Sequence, residues 1–172
     1  MAGLERLWNG WRATYVTSPA TDDRSDDERV GSLFTQILAS EASDEESNIV
    51  HRGEYVFAIL NAFPYGTGHL LVLPYREVAD LEVLTPDEAC ELWAVVTEAV
   101  RAVKAAYSPD GVNIGVNLGK PAGGSVSEHL HVHVVPRWTG DANFMTAVAN
   151  TRTLPEPLDE TAHKLRAAWQ VG

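Results

Sequence analysis

Three imidazoles alternate with aliphatic residues in Glu128-His129-Leu130-His131-Val132-His133-Val134-Val135-Pro136-Arg137. A β-strand points successive side chains to opposite faces, so His129, His131 and His133 share one face and Leu130, Val132 and Val134 the other. Neighbours on one face sit about 6.6–6.8 Å apart along such a strand. The apolar face can anchor in a core while the imidazoles look into a cavity. Half of the chain's six histidines fall within these five positions. Such a run has three uses: a hydrogen-bonded or titrating surface strand, a metal centre, or catalysis on a phosphate ester.

Three histidines in register on one face have no packing rationale, which weighs against the first use. A metal centre wants a carboxylate or cysteine ligand nearby. By parity Glu128 starts on the opposite face, and the single cysteine, Cys90, lies in a helical pattern, where a small core filler is expected. The third use draws on imidazole as a nucleophile towards phosphorus near neutral pH, with flanking imidazoles donating to charge on oxygen. The preceding loop, Asn117-Leu118-Gly119-Lys120-Pro121-Ala122-Gly123-Gly124-Ser125, offers amide, hydroxyl, backbone N–H and lysine donors to an anion.

The elements that must position these groups are legible in outline. Leu4, Leu7, Trp8, Trp11 and Tyr15 give a short amphipathic helix, and the acidic stretch Ser18 to Arg29 a solvated linker. Val30 to Ala39 suits a short helix before a second acidic patch, Asp44-Glu45-Glu46. Tyr55 to Leu60 and His69 to Pro74 are rich in β-formers and flank the turn Phe63-Pro64-Tyr65-Gly66-Thr67-Gly68, so they read as a hairpin. Thr85-Pro86-Asp87-Glu88 opens a helix with an N-cap hydroxyl, a proline in the first turn and a carboxylate three residues after the cap. Its apolar stripe, Leu92, Val95, Val96, Ala99, Val103 and Ala106, runs to about Tyr107, where Ser108-Pro109-Asp110-Gly111 stops it. A strand over Val112 to Leu118, the histidine strand and a last helix over about Asp159 to Trp169 complete an α+β order: an antiparallel sheet with helices on one face.

Composition sets the bounds. At 172 residues the chain suits a single domain, and a net charge of −11 argues against nucleic-acid or anionic-membrane binding without excluding a small anionic ligand. One cysteine rules out an intramolecular disulfide and fits a reducing compartment. No apolar run reaches the roughly 18 residues of a membrane span, and the amino terminus lacks a signal-peptide core, so a cytoplasmic protein is expected.

Pro64 to Pro74, with Gly68-His69 opening a strand, followed about sixty residues later by His129-Leu130-His131-Val132-His133-Val134-Val135, resembles the histidine-triad (HIT) superfamily. Further likeness in Leu4 to Trp8, Ala122 to Ser125 and Pro136 to Phe144 points to a bacterial branch, the HIT-type diadenosine tetraphosphate phosphorylases. The resemblance implies one HIT domain with a sheet of about five strands: a core over 54–138, an amino-terminal extension over 1–53 and a carboxy-terminal segment over 139–172. It implies that His131 attacks the α-phosphorus to give a nucleotidyl-histidine, that His129 and His133 contact phosphate oxygens, and that His69 orients the site. Asn61 is then expected near the ribose, and Asn117, Gly124 and Ser125 at the phosphates. Lys120 and Arg137 are candidates for attracting phosphate. The implied reaction takes diadenosine tetraphosphate and inorganic phosphate to ADP and ATP. It needs no cofactor or protein-bound metal, beyond a divalent ion such as Mg accompanying the polyphosphate, and a homodimer or homotetramer is implied. Where many HIT hydrolases carry glutamine, this chain has Gly124, and Glu128 resembles a one-residue insertion. The rivals are a HIT hydrolase that uses water and a nucleotide-binding module without turnover.

Overall fold

The computed structural model describes residues 31–123, 126–141 and 156–169. The expected helix over Leu4 to Val16, the acidic linker over Ser18 to Arg29, and Gly124, Ser125 and Phe144 lie outside the described residues. In chain order the helices are α1 (Leu33–Ala39), α2 (Asp44–Ser47), α3 (Pro86–Tyr107) and α4 (Leu158–Trp169), and the strands β1 (Ile49–Arg52), β2 (Val56–Leu60), β3 (Leu70–Pro74), β4 (Gly111–Val116) and β5 (Val132–Arg137). The strands form one antiparallel sheet in the order β1-β2-β3-β5-β4.

β2 and β3 are the expected hairpin, in register from Val56 opposite Pro74 to Leu60 opposite Leu70. All ten residues are buried, which is why neither strand shows apolar–polar alternation: each face meets a different core. Val56, Ala58, Leu60, Leu70 and Val72 pack with Leu92, Val96, Ala99 and Val103 of α3 and Leu165 of α4. Phe57, Ile59, Leu71 and Leu73 face the other way, against Phe34 of α1 and Ile49 of β1. The long helices thus cover one face as expected, and the short α1 is added on the other.

α3 begins at the Thr85–Glu88 capping box and ends on Ser108 in the left-handed conformation. Glu88 does more than cap: Arg76 donates to both its oxygens, at 2.9 and 2.7 Å, tying the segment after β3 to the helix start. Cys90 lies on α3 but is exposed, so the expected core filler is corrected. It falls two positions before Leu92, on the solvent side of the stripe.

Two boundaries differ from the sequence pattern. β1 precedes Glu54, so the sheet starts before the expected core. The histidine strand starts later, at Val132. The β3–β5 register runs from Leu70 opposite Val134 to Val72 opposite Val132, which would set Pro74 opposite Leu130. Proline has no N–H for that ladder, and the Leu130 N–H is diverted to the Val78 carbonyl at 2.6 Å. His129 and His131 therefore sit on the approach to β5 and only His133 lies within it.

Candidate active site

The parity expected of the histidine run survives this shift. Leu130, Val132 and Val134 belong to the helix-side core, while His129 and His131 meet Phe34 from α1, with ring centroids 5.4 and 5.7 Å away. His133 sits in the sheet between Leu71 and Gly115. His131 and His133 meet edge to face at 4.9 Å.

Hydrogen-bond partners fix which ring nitrogen carries each proton, because a carbonyl only accepts and a backbone N–H only donates. His131 Nδ1 lies 2.8 Å from the His129 carbonyl; it must donate, which leaves the lone pair of neutral His131 on Nε2. His129 Nε2 lies 2.8 Å from the Pro74 carbonyl and likewise donates. Its Nδ1 must then accept, and the Ser32 hydroxyl stands 2.7 Å away.

A second chain of bonds fixes His133. The Tyr65 N–H donates to His69 Nδ1 at 3.0 Å, and the Asn61 amide nitrogen is 3.4 Å from the same atom. His69 therefore holds its proton on Nε2 and donates it to His133 Nδ1 at 2.9 Å. Neutral His133 is left with a proton on Nε2; the Asn117 amide 3.3 Å away can pair with that proton only through its oxygen, so the amide is assigned with Oδ1 rather than Nδ2 on that side. Tyr65 stacks over the pair, 4.6 Å from His69 and 5.7 Å from His133.

Burial favours the neutral form of His129, His131 and His133. His69 is 0%, His129 1%, His131 6% and His133 8% exposed. Desolvation disfavours imidazolium and lowers the proton affinity of His129 and His131. For His133, burial and the neighbouring His131 push the pKa down to about 4. The arrangement can present an unprotonated Nε2 on His131 beside an Nε2–H on His133.

Asn61, His69, Asn117, His131 and His133 are brought together. His129 is among them, with both its ring nitrogens engaged by protein partners, the Ser32 hydroxyl and the Pro74 carbonyl, so that its ring is a buried strut. Arg137 is four residues beyond His133, about 13 Å along a strand, and its guanidinium grips Asp141 at 2.6 and 2.7 Å and Asn113 at 2.8 Å. Lys120 is exposed on the short 3-10 turn Lys120–Ala122, framed by Gly119 (φ 75°) and Gly123 (φ 99°), both left-handed positions that favour glycine. Gly124 and Ser125 lie outside the described residues. Ser32, Glu77, Tyr65 and Phe34 were not singled out for chemistry by sequence reasoning, since lone residues far from the triad carry no spacing signal. Among the described residues no group of three or more His, Cys, Asp or Glu is placed to hold a metal ion.

A model of the HIT domain matches residues 42–140, the stretch holding all five strands. The chain is 46% identical over 167 residues to an AP-4-A phosphorylase of Mycobacterium tuberculosis, covering 96% of this chain and 85% of the relative. It is 36% identical over 95 residues to an asymmetrical bis(5'-nucleosyl)-tetraphosphatase of Schizosaccharomyces pombe, covering 55% of this chain and 52% of the relative. Among solved structures, a hypothetical histidine triad nucleotide-binding protein from Sulfolobus tokodaii superposes with a TM-score of 0.66 at 28% identity, covering 80% of this chain and 91% of the other.

Proposed function

The chain belongs to the HIT domain family, and on that footing we propose that it is a nucleotidyl transferase that cleaves diadenosine tetraphosphate with inorganic phosphate to ADP and ATP. The observation that carries the reading is the near-full-length identity with the mycobacterial AP-4-A phosphorylase. The histidine geometry supports a mechanism for it.

His131 Nε2 attacks the α-phosphorus and ATP leaves, giving an adenylyl-histidine. The Nδ1 proton stays on the ring, where the His129 carbonyl steadies the positive charge of the adenylylated imidazole. His133 Nε2–H, kept on that nitrogen by the hydrogen bond that His69 donates to Nδ1, then donates to an oxygen of the departing or transferring phosphate. Inorganic phosphate then attacks the same phosphorus, releasing ADP and restoring His131. Asn117, Ser125 and the glycine-bearing loop are assigned to the phosphates, Asn61 to the ribose side, and Lys120 to drawing the anion in. No resident cofactor is assigned; a divalent ion would arrive with the polyphosphate as part of the substrate.

Partners follow the same reading: a dinucleoside polyphosphate and phosphate, with no nucleic acid and no membrane. Among the described residues no helix is long and apolar enough to cross a membrane. A cytoplasmic homodimer or homotetramer is proposed, supported by the edge position of β4 and the exposure of Ile114 upon it (48%).

Incubating the protein with diadenosine tetraphosphate, with and without phosphate, tests the reaction. ADP plus ATP formed only with phosphate supports it. AMP plus ATP formed regardless of phosphate makes the protein a hydrolase, as the matched tetraphosphatase is named, and no turnover makes it a binding module.

A further inference from the structure

We propose that Ser32 is a positioning residue for the nucleophile: its hydroxyl, anchored by Glu77, holds the His129 ring so that the His129 carbonyl fixes His131 with its Nε2 lone pair free. The inference rests on the reading of His131 as nucleophile and extends it to residues remote in sequence.

Each hydrogen in this network has one consistent place. Glu77 accepts the Ser32 N–H at 2.7 Å and the Thr35 hydroxyl at 2.6 Å. Thr35 Oγ1 has thus committed its proton to the carboxylate, and the Thr35 N–H donates to Ser32 Oγ at 3.2 Å. The Ser32 proton is left for His129 Nδ1 at 2.7 Å, the nitrogen that the Pro74 carbonyl has already made the acceptor. Ser32 is 1% exposed and lies 97 residues from His129 in sequence. Its loss removes the protein donor to a buried acceptor.

The anchor is built tightly. Gly31 stands at φ +82°, and a Cβ there would lie 2.9 Å from Glu77 Oε2 and 2.9 Å from the Thr35 methyl carbon. Only glycine lets this backbone approach the carboxylate. Phe34, two residues after Ser32, closes over both imidazoles. The start of α1 therefore delivers the donor that fixes one histidine and the ring that walls two.

Releasing the His129 ring loosens the segment whose carbonyl holds His131 Nδ1–H. His131 can then exchange tautomers and put its proton on Nε2, where it cannot attack. The substrate pocket itself is untouched, so the loss belongs in kcat and adduct formation more than in KM.

The test compares wild type with Ser32→Gly and Ser32→Ala in the full chain. Glycine removes the hydroxyl while remaining a good N-cap for α1, which separates the strut role from helix capping; thermal melts confirm that each variant folds. Steady-state kinetics and the rate of nucleotidyl-histidine formation are read beside 15N signals of the His129 and His131 rings. In wild type the signals should show Nε2–H on His129 and Nδ1–H on His131. In Ser32→Gly, kcat should fall by about 10- to 100-fold, the cost of a misplaced reacting group, with KM changed by less than about twofold, and the His131 signals should show mixed tautomers. Wild-type His129 protonated on Nδ1, or a folded Ser32→Gly with unchanged kcat and tautomers, overturns the proposal. His131→Ala keeps the two readings apart: adduct surviving in that variant sinks the nucleophile assignment, whereas adduct lost there but unaffected in Ser32→Gly sinks only the role of Ser32.

Discussion

The main-chain carbonyl of His129 stands 2.8 Å from Nδ1 of His131, two residues along the same chain. One proton between them decides the chemistry of the site. With it on Nδ1, the in-plane lone pair of His131 lies on Nε2, and burial lowers the ring's affinity for a second proton. On the proposed mechanism the nucleophile is thus prepared by its own backbone before substrate arrives.

The pH profile should carry that preparation. Desolvation lowers the proton affinity of His131 and His133, the latter to about 4. The neutral forms persist below 6.5, the ordinary histidine value. The acid limb of kcat/KM is expected to lie below 6.5; a midpoint at or above 6.5 would mean that the ring proposed to attack titrates as if in water.

Stability should decline in the same direction. Unfolded histidines bind protons near 6.5, while the buried rings refuse them, so stability is lost as pH falls from about 6.5 towards 4. Glu88 adds a lower step. Arg76 holds its carboxyl down to about 2 against 4.5, so its contribution is complete above 4.5 and disappears as pH drops towards 2. With Arg76 half-exposed, this contribution is about 1–2 kcal/mol. Urea melts at pH 7, 5.5 and 4 should show a falling midpoint; a flat series would contradict the burial of neutral imidazoles.

His69→Ala removes the donor to His133 Nδ1 and frees His133 to change tautomer. A fall in kcat of about 100-fold is expected, within the range for a lost acid–base partner. Equal activity in the variant would show that His133 needs no relay.

Gly124→Gln restores the residue that many HIT hydrolases carry. The products should shift from phosphate-dependent ADP towards AMP if the space left by glycine admits phosphate in place of water. An unchanged AMP-to-ADP ratio would remove Gly124 from the choice of acceptor.

Ile114→Glu places a charge on the exposed edge of β4. Light scattering is expected to show a smaller species than wild type. The same mass for both would move the proposed interface elsewhere.

The hairpin, the long helix and the one-sided histidines were legible because each repeats a physical pattern: β-formers about a glycine turn, a capping box before a helical stripe, and period-two alternation. β1 was not, since Ile49-Val50-His51-Arg52 follows an acidic turn and is too short to show a period. The late start of β5 depends on Pro74, fifty-eight residues before Val132, having no N–H to offer. Ser32 and Glu77 were beyond reach for a related reason: one hydroxyl and one carboxylate acquire meaning only when folding sets them beside His129. The Arg137–Asp141 ion pair was likewise out of reach, because Asp141 is an ordinary acidic residue until the turn closes.

The most direct test of the account is to trap the intermediate. Protein mixed with diadenosine tetraphosphate without phosphate, quenched and mapped by peptide mass analysis, should carry an adenylyl group on His131, discharged as ADP when phosphate is added. An adduct on another residue, or turnover with no adduct at His131 under single-turnover conditions, would contradict it.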